Sequence, residues 1–145
     1  GPIPRVNLSL KLSSLYSQFD PIAPEETSTA VKARLRPILA KARKLGAFVN
    51  IDMEQFSYKD LTIRIFQEIL SEPEFRDWPD VGIAIQAYLK SCRADLENLA
   101  AWALPWIGSQ AISRRRRRAE RAVLVAMVYS QALRFPGGEP LTSAL

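Results

Sequence analysis

Three short segments, VNLSLKLS (6–13), FVNIDMEQ (48–55) and VGIAIQAYLK (81–90), decide how this chain is read. Each alternates residues with the period of two that a β-strand imposes. Alternation sets Asn7, Ser9 and Lys11 on one face of the first segment. It sets Asn50 and Asp52 on one face of the second, and Ala84, Gln86 and Tyr88 on one face of the third. The opposite faces read Leu8, Leu10, Leu12, then Val49, Ile51, then Ile83, Ile85, Ala87. Burying an unpaired polar group costs roughly 2–7 kcal/mol for an amide alone. Strands that carry Lys11, Asp52 and Gln86 at matching places therefore imply one shared polar site.

Helical patterns separate the strands. The first is expected from about Glu25 to Leu45, with Val31, Leu35, Ile38, Leu39 and Ala42 on one stripe. Glu25 and Glu26 in its first turn, and Lys41, Arg43 and Lys44 in its last, suit the helix dipole. Pro37 inside this pattern predicts a kink or a break, and Gly46 a stop. Strand two is expected over 47–52. Ser57 or Asp60 can open the next helix, with Leu61, Ile65, Phe66, Ile69 and Leu70 inward. The stretch SEPEFRDWPD reads as a loop that can hold one helical turn. Strand three is expected over 81–87, and a last helix from Ser91 to Ala103 turns Leu96, Leu99, Ala100 and Ala103 inward. Glu54 and Gln55 are expected to face a loop, and Trp78 and Tyr88 to pack.

Strand, helix, strand, helix, strand, helix means parallel strands joined by right-handed crossovers. Part of a β/α barrel and a small open sheet both fit. Polar residues on one strand face favour the barrel, because an open doubly wound sheet is apolar on both faces. The fold class is therefore α/β: a partial (β/α)8 barrel of about three units, followed by a basic helix or a disordered tail. In such barrels the C-terminal strand ends build the active site. Lys11, Asp52 and Gln86 fall near those ends.

Composition narrows the chemistry. There is no histidine, which excludes His-based triads, His metal sites and an imidazole switch; no metal is expected. One cysteine, Cys92, cannot close an internal disulfide and reads as a structural thiol in a reducing compartment. No apolar run approaches the ~20 residues of a membrane span. The expected location is the cytoplasm, with peripheral attachment to the inner membrane left open. The net charge of +5 is uneven. Residues 1–103 carry equal numbers of acidic and basic side chains, so the whole excess sits in 104–145. This divides the chain into a globular part, 1–103, and a basic tail, 104–145, of different character.

At SLKLSSLYSQFDP, GAFVNIDMEQFSYKDLT and EPEFRDWPDVGIAIQAYLKS the chain resembles the proline dehydrogenase domain of the bacterial proline utilization A flavoenzymes. The likeness covers about residues 3–103. It implies the N-terminal part of a distorted β/α barrel that binds FAD and oxidises L-proline to Δ1-pyrroline-5-carboxylate. By the same resemblance Lys11 matches the lysine that pairs with the proline carboxylate. Asp52 matches the active-site aspartate beside the substrate, and Gln86 the glutamine that hydrogen-bonds the flavin. The resemblance further implies a larger bifunctional polypeptide with an aldehyde dehydrogenase domain. It leaves a quinone or membrane electron acceptor open for the parent.

The likeness then stops. The family's strand-four block, Arg-Leu-Val-Lys-Gly-Ala-Tyr-Trp, has no counterpart, and LPWIGSQAIS stands near its place. Arg114–Arg118 lacks an upstream tyrosine at the family's spacing, so no carboxylate-gripping role passes to it. The expectation is an N-terminal slice of the barrel with an unrelated or frame-shifted tail, inactive by itself.

Each assignment has a plainer rival. Lys11 as a solvent-reaching lysine, Asp52 as a cap or a partner of Lys11, and Gln86 as a cover for strand-end backbone groups all suit a scaffold with no chemistry. The alternative function is a non-catalytic fragment that binds anionic partners through its Arg-rich tail. No specific nucleic-acid partner is expected, because no aromatic residues interleave the arginines and no nucleic-acid fold surrounds them. The alternative has its own outcome: salt-sensitive retention on nucleic acid or anionic lipid that disappears when residues 104–145 are removed. Retention without the tail, or none with it, would reject it.

Overall fold

In the computed structural model residues 6–107 are described, with 104–107 as backbone only. Their elements run β1 (Asn7–Leu10), α1 (Pro24–Leu45), β2 (Phe48–Ile51), α2 (Lys59–Leu70), β3 (Val81–Ile83) and α3 (Cys92–Ile107). Short 3-10 turns follow β1 (Leu12–Leu15) and β2 (Phe56–Tyr58). The strands form one parallel sheet in the order β1-β2-β3. Ser9 stands beside Asn50, and Asn50 beside Gly82. This register keeps all apolar faces on one side and all polar faces on the other.

The apolar side is the core along β2 and β3, whereas Leu8 of β1 on the same face is exposed. Val49, Ile51, Val81, Ile83 and Ile85 are buried together with Val31, Leu35, Leu39 and Ala42 of α1 and Leu61, Ile65, Phe66, Ile69 and Leu70 of α2. Burial of a Val, Leu or Ile side chain contributes about 1.5–3 kcal/mol, so this layer dominates the fold. Expected and observed stripes agree closely, although Ile38 is only half-buried and Thr27 and Ser28 extend the buried face. Among the described residues no helix is long and apolar enough to cross a membrane.

Several expectations change. Pro37 does not break α1, which runs through it as one element. Pro37 and Ala33, whose carbonyl loses its partner there, are both exposed, so water can satisfy what the ring removes. All three strands are shorter than their alternation suggested. The chain past β1 closes into a 3-10 turn, with Ser14 N–H donating to the Lys11 carbonyl at 3.1 Å. After β3 it turns at 87–88. Helix α3 runs past the expected end at Ala103 to Ile107. The region SEPEFRDWPD is a series of turns that buries Phe75 and Trp78. The Arg114–Arg118 run and the rest of the tail lie outside the described residues.

Gly46 ends α1 as expected. Its φ of 65° is left-handed, where a side chain is strained. The Ala47 N–H donates to the Ala42 carbonyl at 3.0 Å and the Gly46 N–H to the Arg43 carbonyl at 3.2 Å. This is the Schellman arrangement that satisfies orphaned helix carbonyls. It delivers the chain directly into β2.

Ionic ties lock α1 to α2. Glu68 accepts from Ser28 Oγ (2.7 Å), Lys32 Nζ (2.5 Å) and Arg64 Nε (2.6 Å). Arg36 grips Glu72 with two nitrogens, at 3.0 and 2.7 Å. Burial pushes the Glu68 carboxyl up, but the donors from Lys32, Ser28 and Arg64 outweigh it and hold the group down at about 2 from an ordinary 4.5. The folded-state value lies below the unfolded one. The associated stability is therefore present above pH 4.5 and lost as pH falls towards 2. Glu68→Gln is expected to flatten the acid limb of stability against pH in that window, read by urea midpoints from pH 6 to 2. An unchanged acid limb would show that Glu68 is not the responsible group.

Candidate functional site at the C-terminal strand ends

All three sequence-predicted residues sit just beyond a strand end at the same edge of the sheet. Lys11 follows β1, Asp52 follows β2, and Gln86 lies beyond Ile83. Parallel pairing puts these ends side by side. The Asp52 N–H donates to the Leu10 carbonyl at 2.8 Å, and the Ala84 N–H to the Ile51 carbonyl at 2.9 Å.

The polar groups are organised differently from the simplest reading. Lys11 is exposed, so no desolvation cost forces a partner on it. Its side chain bonds to none of the described residues. Asp52 does not pair with Lys11. Its Oδ1 accepts from Ser9 Oγ at 2.5 Å and from Asn50 Nδ2 at 2.8 Å. These donors come from the polar sheet face and aim the carboxylate along it. Gln86 donates from Nε2 to the Glu54 carbonyl at 2.6 Å. Its Oε1 is buried without a donor, and so is Asn50 Oδ1. Orphaned buried acceptors are uncommon and call for a reason. No hydrogen bond joins Lys11, Asp52 and Gln86 to one another among the described residues.

Glu54 links the three loops instead. Its carboxylate accepts the Ser13 N–H at 3.1 Å through Oε1 and the Ser13 hydroxyl through Oε2. Its carbonyl holds Gln86. The expectation that Glu54 faces a loop therefore missed a tie from the second strand end to the first and third. Alternation could not reveal it, because Glu54 lies past the last paired residue of β2. Tyr88 was expected to pack and is 61% exposed; the turn after β3 swings it outward.

A second missed residue is Lys59 at the start of α2. It is buried, and its ammonium meets Asp60 at 2.5 Å and Asp95 of α3 at 2.9 Å. Ser91 Oγ holds the other Asp95 oxygen at 3.0 Å. Burial disfavours the charge, but hydrogen bonds to Asp60 and Asp95 prevail and raise its pKa. The signal was present in sequence: Lys59 shares a helical face with Thr62, Phe66 and Ile69. Cys92 at the start of α3 is buried, and burial followed by the nearby Asp95 charge pushes its thiol up. An undissociated thiol suits the structural role expected of it.

Residues 2–105, more than half of the chain, match the proline dehydrogenase family. The chain belongs to that family. Among solved structures it is similar to proline utilization A of Bdellovibrio bacteriovorus, inactivated by N-propargylglycine, at 42% identity and a TM-score of 0.71. The match covers 73% of this chain and 11% of that one. Proline utilization A of Corynebacterium freiburgense is 37% identical with a TM-score of 0.62, over 68% of this chain and 10% of that one. The bifunctional protein PutA of Escherichia coli is 28% identical over 63% of this chain. Proline dehydrogenase 1 of Bacillus subtilis subsp. natto is 33% identical over the same share. The chain spans 7% of the former's length and 26% of the latter's. The three strands and their helices are thus a part of the proline dehydrogenase barrel, as the resemblance implied.

Removing the acceptor at Asp52 would strand Asn50 with both ends of its amide unpaired. Asp52→Ala is expected to cost roughly 1–3 kcal/mol, read as a lower urea midpoint at unchanged slope. An unchanged midpoint would mean that water replaces the carboxylate.

Proposed function

We propose that the protein of which this chain is a part is an FAD-dependent proline dehydrogenase that oxidises L-proline to Δ1-pyrroline-5-carboxylate. The observation that carries this is the family match over residues 2–105. The gathering of Lys11, Asp52 and Gln86 at one edge of the sheet supports it.

The available groups suit a flavin and an amino acid. The buried Gln86 Oε1 without a donor fits a ring N–H of a flavin. Bound there, FAD would supply an acceptor for the hydride that leaves the carbon next to the proline nitrogen. The protein's own task is orientation. Lys11 offers an exposed ammonium with no partner among the described residues, suited to the substrate carboxylate. A hydrogen bond to a charged group contributes about 1.5–3 kcal/mol. Asp52 has Oδ1 occupied by Ser9 and Asn50. This holds the carboxylate in one orientation, which suits the place beside the substrate given to it in this reading. Gln86 has its donor end tied to Glu54, which leaves its acceptor end as the one free for the cofactor.

The bifunctional character named for the PutA relatives supports placement in a longer polypeptide with an aldehyde dehydrogenase domain. A quinone at the inner membrane is a suitable final acceptor for a cytoplasmic flavoenzyme of this kind. Alone, the described strands supply one sector of a site. The tail on which the binding alternative rests lies outside the described residues.

Lys11→Ala in the intact parent is expected to raise the KM for proline roughly ten- to hundredfold while flavin absorbance is retained. Unchanged KM would remove the carboxylate anchor from Lys11, and a parent without flavin or dye reduction by proline would overturn the reading.

A further inference from the structure

Glu54 holds an unusual place. It is one residue whose side chain reaches the first strand's turn and whose backbone reaches the third strand's glutamine. The 3-10 turn Leu12–Leu15 begins immediately after Lys11, its N-cap. Lys11 has no side chain suited to capping, and no side-chain cap bond is made there. The orphaned N–H of Ser13 in the first turn is taken by Glu54 Oε1, and the Ser13 hydroxyl by Oε2. A carboxylate in this position also suits the positive end of a helical turn. The Ser14 hydroxyl closes on the Lys11 carbonyl at 2.6 Å. Backbone on the C-terminal side of Lys11 is therefore held from the loop after β2, while the Lys11 side chain bonds to none of the described residues.

We propose that Glu54 is a positioning residue for proline binding: by clamping Ser13 it fixes the backbone from which Lys11 reaches the substrate carboxylate. The same residue's carbonyl holds the donor end of Gln86, so the two arms of the site take their places from one point. The inference rests on the role given above to Lys11. Long lysine stems carry much rotamer entropy. A fixed root lowers what must be ordered when the carboxylate binds, so loss of the clamp should weaken binding more than turnover.

A double-mutant cycle in the flavin-loaded parent tests this, with proline as the probe. Glu54→Ala is expected to raise KM roughly tenfold with kcat nearly kept, the pattern of lost binding. Combined with Lys11→Ala it should add little, because the clamp acts through that lysine. Glu54→Gln keeps an oxygen for the Ser13 N–H and should recover most of the loss. Ser13→Ala removes one of the two clamp donors without touching the core; it should raise KM by a few-fold and decides the matter if Glu54→Ala does not fold. Unchanged KM in Ser13→Ala and Glu54→Ala overturns the inference, as does full additivity with Lys11→Ala. If Lys11→Ala itself leaves KM unchanged, the carboxylate anchor falls and the clamp's role falls with it. A raised KM in Lys11→Ala with no coupling to Glu54 removes the clamp alone.

Discussion

Parallel registry is the constraint on which the rest hangs. Pairing Ser9 with Asn50 and Asn50 with Gly82 turns three separate alternations into two continuous surfaces. One surface is apolar and lies under α1 and α2; the other carries polar side chains. A slip of one residue in any strand would exchange the two surfaces of that strand. It would put Asn50 under the helices and Ile51 among polar groups. Burial of Val49, Ile51, Val81 and Ile83 therefore fixes the register, and the register in turn lines up the three strand ends.

Alignment of strand ends explains why chemistry concentrates beyond them. Within the strands, backbone groups are paired and side chains are committed to a face. Past the last pair, the chain is free to turn, and Lys11, Asp52, Glu54 and Gln86 all lie there. What keeps this region ordered is a short set of side chain-to-backbone bonds, chiefly those of Glu54 and Gln86. The pattern is that of a scaffold stabilised on one side of the sheet and a working edge held by polar ties.

The fold was legible because its determinants are local and periodic. The stripe Val31, Leu35, Leu39, Ala42 gave α1, and the alternation in FVNI gave β2. Gly46 gave the turn between them, since a left-handed residue there suits glycine. The site was legible only in part. Lys11, Asp52 and Gln86 stood out as polar residues in apolar surroundings. Asn50 stood with Asp52 on one face of its segment, but the bonds from Ser9 to Asp52 and from Gln86 to Glu54 did not show, because they join different segments and no period within one segment reports such pairing. Pro37 misled for a related reason. Its cost depends on whether the freed carbonyl meets water, and only the packing of α1 decides that. Lys59 was hidden by the habit of assigning lysine to solvent, which fails when a neighbouring helix supplies an acid.

That buried lysine has a consequence for how such barrels can be rebuilt. Lys59 belongs to the unit of β2 and α2, and Asp95 to the unit that follows. Between them runs a latch that recognises one particular neighbour. A grafted unit lacking the acid would leave the buried cation with only the exposed Asp60 of its own unit, a loss that correct hydrophobic shape does not repair. Repeating β/α units look interchangeable by their apolar faces. Here the seam between two of them is keyed by charge, so recombination at this junction is expected to succeed only when both halves of the key travel together.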